Sequence, residues 1–292
     1  MISNSLFYYD TPTIYPPFKN GLYIEEKFLS FFQKSNSITK RKYIPAFWTN
    51  FQIEKWFNEE KENMQKSLNE WIKNNPSKEG YFTIVQHDNG VMLKLPSNTI
   101  IFGCCSGDVS LPLIYEDTKN ILENVDKIKF NDKSILCSFV GSITNNSNGG
   151  SNVRKTMNNA FANNKNFKII SGRWSVNINK TRQDTFINNT VNSKFALAPR
   201  GYGRSSFRFF EIFKLGTIPV YLWNDINWLP FQDKIDYNKL CITLNISEID
   251  KLEEKLLSIT EEEYKNMLLY YEIIKHFFYV DGCCEYIFRL LD

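Results

Sequence analysis

Arginine and glycine residues are concentrated in residues 194–230 in a pattern that suits phosphate binding. Gly201 and Gly203 permit backbone angles that other residues avoid, so they allow a close turn between a strand and the next helix. Guanidinium groups match phosphate oxygens in charge and in geometry. The arginines of this segment are Arg200, Arg204 and Arg208.

A helix predicted to begin at Ser205 and Ser206 adds free backbone N–H groups and a partial positive charge to this turn. Glu211 lies three residues after Arg208 on the same side of that helix, where its carboxylate could accept hydrogen bonds from ribose hydroxyls. The residues alone leave a second interpretation equally open. Arg208 and Glu211 would then form a surface ion pair, and the glycines would only turn the chain.

Strands alternate with helices around this segment, which is typical of parallel βαβ units in an α/β fold. The predicted strands are residues 134–140, 167–170, 195–198 and 218–222. The predicted helices are residues 153–163, 181–192 and 206–215, the last with Gly216 as its C-terminal cap. Sheets of this kind bind ligands at the carboxyl ends of their strands.

The remaining elements divide the chain into three parts: an N-terminal domain (1–130), a second domain (131–260) and a helical tail (261–292) that packs back on the first domain. Strands are predicted at residues 5–9, 81–86 and 100–104, and helices at residues 22–32 and 51–73. In the tail, a capping box from Thr260 to Glu263 precedes a helix over residues 264–278, and a last helix covers residues 284–291.

The composition and charge of the chain argue against some classes of function. The chain has 292 residues, 42% hydrophobic and 23% charged, an ordinary globular balance. A net charge of +3 from dispersed lysines and arginines argues against a nucleic-acid binder. No apolar run reaches the ~18 residues that span a bilayer, and the first residues lack a signal-peptide pattern. The six cysteines show no C-x-x-C spacing, so we expect reduced thiols in a cytoplasmic protein.

The ordered motifs of residues 199–237 resemble the signature of the exostosin-like glycosyltransferases, glycosyltransferase family 47. That signature is a Pro-x-Gly turn, a Ser-x-Arg-x-x-Glu helix, a Gly-x-(I/V)-Pro-Val strand, a Leu-Pro-Phe triplet and an Ile-Asp-Trp-like triplet. The matching residues are Pro199, Gly201, Ser206, Arg208, Glu211, Gly216, Ile218-Pro219-Val220, Leu229-Pro230-Phe231 and Ile235-Asp236-Tyr237.

Earlier motifs extend the resemblance to about residue 80. The turn from His87 to Gly90 is similar to the family's His-Asp-Trp-Gly, with Asn89 in place of Trp. A second motif, beginning at Asp108, is similar to Asp-Val-Ser-x-Pro. The glycine loop and the basic helix start of the family match Phe139-Val140-Gly141 and Val153-Arg154-Lys155.

The resemblance implies a GT-B fold, in which two Rossmann-like domains face each other across a cleft. The acceptor then lies mainly on the first domain and the nucleotide sugar on the second, and transfer inverts the anomeric carbon. The expected donor is UDP-xylose, UDP-galactose, UDP-glucose or UDP-glucuronate, and the expected acceptor is a glycan hydroxyl. No D-x-D triplet occurs in the chain, so neither a metal nor another cofactor is expected.

Without a metal, arginines and helix amides must neutralise the leaving diphosphate. The expected donor-site residues are Arg208, Glu211, Ser205, Ser206, Arg200, Gly201, Gly203, Arg154, Ser142 and Arg173. Trp174 and Trp223 are candidates for the nucleobase pocket. Tyr43, Phe47 and Trp48 are candidates for acceptor contacts.

Inverting transfer requires a general base on the acceptor side. Asp88 and His87 are the first candidates and Asp108 is the next. A structural role for Asp88 in an Asx turn with Asn89 and Gly90 is nearly as well supported.

Two other functions remain open at this point. One is a catalytically silent nucleotide- or carbohydrate-binding protein of the same fold, an alternative that Asn89 in the His-Asp turn favours. The other is a GDP-fucose-dependent fucosyltransferase. It is less favoured because that family carries an acidic turn with a Glu-Lys pair where this chain has Ser206-Phe207-Arg208.

Overall fold

The structure, a computed structural model, describes residues 1–10, 22–35, 39–114, 117, 119–143, 152–175 and 177–292. The described residues form two compact units. The first contains the described residues up to Ile114 together with His276–Asp292, and the second runs from residue 117 to Lys275.

The first unit carries a parallel four-stranded sheet in the order β1-β2-β3-β4. Its strands are β1 (Lys42–Tyr43), β2 (Tyr81–Val85), β3 (Thr99–Gly103) and β4 (Val109–Ser110). Its helices are α1 (Ile24–Ser35), α2 (Trp48–Gln52), α3 (Phe57–Asn74) and α10 (Val280–Leu291). Every residue of β2 is buried, which explains its unbroken apolar sequence.

Two predictions for the first unit are wrong. Residues 5–9 are not a strand: Ser5–Tyr8 form a 3₁₀ helix, because the Asn4 side chain accepts the Leu6 N–H and Phe7 packs edge-on against Phe51. The single helix predicted over residues 51–73 is two helices, α2 and α3, since the chain turns between them at residues 53–56.

The second unit carries a parallel five-stranded sheet in the order β6-β5-β7-β8-β9. Its strands are β5 (Ile135–Gly141), β6 (Phe167–Ser171), β7 (Ser193–Pro199), β8 (Ile218–Trp223) and β9 (Ile242–Asn245). Its helices are α4 (Val153–Phe161), α5 (Lys180–Val191), α6 (Phe207–Lys214), α7 (Tyr237–Leu240), α8 (Leu252–Ser258) and α9 (Glu261–Ile274). The prediction of a GT-B-type α/β fold with two Rossmann-like parallel sheets is confirmed.

The second unit begins earlier than the predicted boundary at residue 130, because Leu122 packs with Ile187, Val191 and Leu215 of that unit. The predicted tail divides between the units. Helix α9 stacks Tyr271 on Phe213 of α6, with ring centroids 4.4 Å apart. Helix α10 belongs to the first unit, where Phe288 stacks on Phe28 of α1 at 5.7 Å.

Local signals fixed two helix ends as predicted. Gly216 ends α6 with a φ of 67°, and its N–H donates to Phe213 O at 2.9 Å. Thr260 and Glu263 form the reciprocal capping box of α9. All six cysteines lie among the described residues, are buried and form no disulfide. Within the described part of the chain, no helix is long and apolar enough to cross a membrane.

Candidate functional site

The order of strands in the second sheet places a topological switch point between β5 and β7. The chain goes from β5 to β6 on one side, and then crosses to β7 on the other side. Because these crossovers are right-handed, α4 and α6 start from opposite faces of the sheet at its carboxyl edge. Ligands of doubly wound sheets bind in the crevice at such a point. The site is therefore expected where β5 ends at Gly141 and β7 ends at Pro199.

Arg208, in the first turn of α6, extends to the end of β5. Its Nε donates to Val140 O at 3.0 Å, and its guanidinium carbon lies 5.4 Å from the centre of the Phe139 ring. Among the described residues, Arg208 has no carboxylate within ion-pair distance. Burial lowers the pKa of Arg208, and nearby Glu211 opposes that shift. A guanidinium group stays charged in proteins, and here a backbone carbonyl and an aromatic face hold it.

Arg154, in the first turn of α4, reaches the same place from the other helix. Its Nη1 donates to Ser142 O at 3.0 Å and its Nε to Arg200 O at 3.3 Å. Its guanidinium carbon lies 6.0 Å from the centre of the Phe139 ring. Two guanidinium groups thus lie near one ring at the carboxyl ends of β5 and β7, which is an arrangement for binding an anion.

Glycines leave room for both guanidinium groups. A Cβ atom at Gly141 would collide with Nη2 of Arg208. At Gly201 a Cβ atom would lie 3.1 Å from Nη2 of Arg154, which is tighter than ordinary contact. Gly141 and Gly201 therefore allow close approach of the two arginines, and neither has a positive φ.

The start of α6 faces the same edge of the sheet. Ser205 and Ser206 are buried, and Ser206 is the N-cap, although its side chain makes no capping hydrogen bond. Gly203 is buried in the preceding turn. Glu211, one helical turn after Arg208, is half-buried. Burial raises its pKa, while Arg208 and Lys214 lower it and Asp117 adds to the increase.

Arg200 and Arg204, expected beside a phosphate, are bound to a carboxylate of the chain itself. Arg200 Nη1 forms a short ion pair with Asp225 Oδ1, and Arg204 Nε lies 2.8 Å from Asp225 Oδ2. Burial acts to raise the pKa of Asp225, but the Ile226 N–H and the two arginines outweigh it and lower the pKa to about 2. Asp225, which follows β8, was not foreseen from the sequence.

Arg173 and Trp174 follow the end of β6, the strand beside β5. Both are exposed, and Arg173 O accepts a short hydrogen bond from Arg182. Trp223 ends β8 and is half-buried. These positions border the carboxyl edge of the sheet.

The candidate bases of the first unit lie in a turn directly after β2. His87 O accepts the Gly90 N–H at 2.9 Å, and His87 Nδ1 accepts the Asn89 N–H at 3.2 Å. Burial lowers the pKa of His87, and Asp88 acts in the opposite direction. The imidazole of His87 therefore braces the turn as a hydrogen-bond acceptor.

Asp108 is exposed and closes the turn between β3 and β4. Its Oδ2 accepts the Ile101 N–H at 2.8 Å, while its own N–H donates to Ile101 O at 2.8 Å. The predicted acceptor contacts Tyr43 and Trp48 are wrong, because both side chains are buried in the core. Trp48 instead donates from Nε1 to Thr83 Oγ1 at 2.7 Å. Phe47 is half-buried.

Glu25, on α1, is a fully buried carboxyl group that the sequence analysis missed. Its Oε1 accepts three hydrogen bonds: from Thr49 N at 3.0 Å, from Thr49 Oγ1 at 2.5 Å and from Gln86 N at 3.1 Å. Its Oε2 has no hydrogen-bond partner among the described residues. Burial raises the pKa of Glu25 to about 7, despite the opposing hydrogen bonds. A charged residue in the first turn of an amphipathic helix gives no sign of such burial.

Comparison with known proteins gives a match to one family model and several curated relatives. The model of the exostosin GT47 domain matches residues 95–259, more than half of the chain. An exostosin-1 homolog of Caenorhabditis elegans is 35% identical over 77 residues, which are 26% of this chain and 20% of that protein. A probable glycosyltransferase of Arabidopsis thaliana is 38% identical over 74 residues, which are 25% of this chain and 15% of that protein.

Exostosin-1 of Drosophila melanogaster is 50% identical over 52 residues, 18% of this chain and 7% of that protein. The matched segments thus cover a fifth or less of the length of these curated relatives. The family model, in contrast, includes the whole second sheet, with both arginines of the switch point. The chain belongs to the exostosin GT47 family.

Proposed function

We propose that this chain is a glycosyltransferase that binds a nucleoside diphosphate sugar at the carboxyl ends of β5 and β7. One observation carries the proposal: Arg154 and Arg208 converge there from two different helices, with guanidinium carbons 6.0 Å and 5.4 Å from the centre of the Phe139 ring. A diphosphate is the anion that two separate guanidinium groups can share, because each phosphate can accept hydrogen bonds from one of them. The word glycosyltransferase in the name of the Arabidopsis relative supports the same class of reaction.

The donor in this proposal is a UDP-sugar carrying xylose, galactose, glucose or glucuronate. Arg154 and Arg208 neutralise the charge that grows on the leaving diphosphate, so a bound metal is not part of the proposed reaction. Glu211, one turn after Arg208, accepts hydrogen bonds from the ribose. The acceptor is a glycan hydroxyl, which attacks with inversion at the anomeric carbon.

The general base is proposed to come from the turn after β2. Asp88 is the better candidate, because His87 Nδ1 already accepts the Asn89 N–H and so braces the turn. Asp108, one of whose oxygens accepts the Ile101 N–H, is the second candidate. The base takes the proton of the acceptor hydroxyl while the sugar–phosphate bond breaks.

Thermal shift with UDP and with GDP tests the donor. A ligand that binds only the folded state raises its stability in proportion to the logarithm of its concentration over Kd. We expect UDP to raise Tm more than GDP at equal concentration. A larger shift with GDP would favour a fucosyltransferase instead and would overturn the UDP assignment.

Turnover separates an enzyme from a silent binding protein, the alternative that Asn89 in the His-Asp turn favours. We expect slow hydrolysis of one UDP-sugar of the panel and faster release of UDP when the right glycan is added. Tight UDP binding with no release of UDP, across the donors and a broad set of acceptors, would establish the silent binding protein.

Asp88→Asn is expected to lower kcat by about 10²–10⁴-fold, the usual contribution of a positioned base, with the Kd for UDP unchanged. Calorimetry gives the Kd, and UDP release gives kcat. Asp108→Asn is the matched variant, because it removes an equal charge from a carboxylate that already braces a turn. Parallel losses of kcat and UDP affinity in Asp88→Asn would instead assign Asp88 a structural role.

A further inference from the structure

Asp225 connects the two ends of the glycine turn that separates β7 from α6. Arg200 precedes this turn and pairs with Oδ1 of Asp225, and Arg204 follows it and pairs with Oδ2. A single carboxylate on the connection after β8 therefore holds both ends of the turn. The Gly201–Gly203 turn has little conformational preference of its own, so the ion pairs restrict it strongly.

Other hydrogen bonds act in the same direction. Arg200 Nη2 donates to Tyr202 O at 2.9 Å, inside the turn. Tyr221 of β8 donates from its hydroxyl to Arg204 O at 2.7 Å. Among the described residues, however, only Asp225 forms ion pairs with both arginines, and its pKa of about 2 keeps it ionised throughout the neutral range.

The turn between β7 and α6 also positions Arg154 and Arg208. Arg154 donates from Nε to the backbone carbonyl of Arg200 at 3.3 Å, so the position of this carbonyl orients the Arg154 guanidinium. Arg208 lies four residues after Arg204, in the helix that begins where the turn ends. A shift of the turn would move both guanidinium groups away from Phe139.

We propose that Asp225 is a positioning residue that holds the turn between β7 and α6 so that Arg154 and Arg208 can bind a diphosphate. This inference rests on the proposed function of the same site. In this proposal Arg200 and Arg204 stabilise the turn. The diphosphate is bound by Arg154 and Arg208. If Asp225 competed with the ligand for Arg200 and Arg204, its removal would instead strengthen binding.

The test measures the Kd values of UMP and UDP by calorimetry. The UMP Kd divided by the UDP Kd, called the UMP-to-UDP ratio, measures what the second phosphate adds to affinity. In Asp225→Asn this ratio is expected to fall on the order of tenfold. Asp233→Asn, in the same connection between β8 and β9, removes an exposed ion pair with Lys234 and should leave the ratio unchanged. Asp225→Glu, which keeps the carboxylate, should recover part of the loss.

Arg204→Gln tests the same ion pair from its other partner. This variant can be measured even if Asp225→Asn does not fold. It should lower the UMP-to-UDP ratio by a similar factor, and the double variant should be no worse than either single variant, because both remove one interaction. An unchanged or higher ratio in the variants, with UDP bound by the wild type, would overturn the role of Asp225 alone. Absence of UDP binding by the wild type would overturn the proposed function as well.

Discussion

Arg208→Met is expected to weaken UDP binding by roughly 10- to 150-fold, because a charge-assisted hydrogen bond contributes about 1.5–3 kcal/mol. The loss concerns the guanidinium group: Met keeps an apolar stem beside Phe139 and Phe186, the two rings near Arg208. The fold should remain stable, since the only described hydrogen bond that is lost is the one to Val140 O. Calorimetry with UDP, together with Tm, measures both effects.

Two further variants distinguish charge from geometry. Arg208→Lys keeps the positive charge but loses the planar fork, so we expect it to bind UDP with intermediate affinity. Gly141→Ala keeps Arg208 but displaces its guanidinium, because the added methyl group collides with Nη2. It should therefore weaken UDP binding without a comparable loss of stability. Normal UDP affinity in both Arg208→Met and Gly141→Ala would exclude Arg208 from the donor site.

The stability of the first unit is expected to depend on pH through Glu25. Its pKa is raised by burial from 4.5 in the unfolded chain to about 7 in the folded one. Between these values the folded state binds the proton that the unfolded state has released. Stability is therefore fully present below pH 4.5 and falls as pH rises through 7, by about 3 kcal/mol in total.

Glu25→Gln should remove this part of the pH dependence. The amide oxygen can accept the same hydrogen bonds from Thr49 and Gln86, and the neutral side chain has no charge to desolvate. The variant should match the wild type near pH 4.5 and exceed its stability above pH 7. Urea unfolding at a series of pH values measures the difference, with Glu59→Gln on the exposed side of α3 as control. Parallel profiles for Glu25→Gln and the wild type would contradict the raised pKa.

The strands of the second sheet could be predicted because they are short apolar runs between turn residues. Strands β5 to β8 match the predicted ranges to within two residues at each end. Strand β9 was not predicted, since its alternating burial in Ile242–Asn245 gives only a weak apolar signal. Residues 5–9 were mistaken for a strand because a buried aromatic run has the same composition in a 3₁₀ helix.

The candidate site was predictable in its residue types but not in its partners. Spacing identified Arg200, Arg204 and Arg208 as one group, yet it could not separate them by role. The separation depends on Asp225, which the β8 strand brings to the turn from more than twenty residues away. The burial of Glu25 is likewise a tertiary effect, since Thr49 and Gln86 come from distant elements.

The return of residues 276–292 to the first unit has a consequence for the order of folding during synthesis. The described part of the second unit lies within residues 117–275, so it can fold as soon as this stretch leaves the ribosome. The first unit must wait for α10, which covers Phe28 with Phe288. At about 5–20 residues per second, that delay is on the order of 10–30 s. During this time the sides of Phe28 and Phe32 that Phe288 later covers are exposed, and chaperones can bind there.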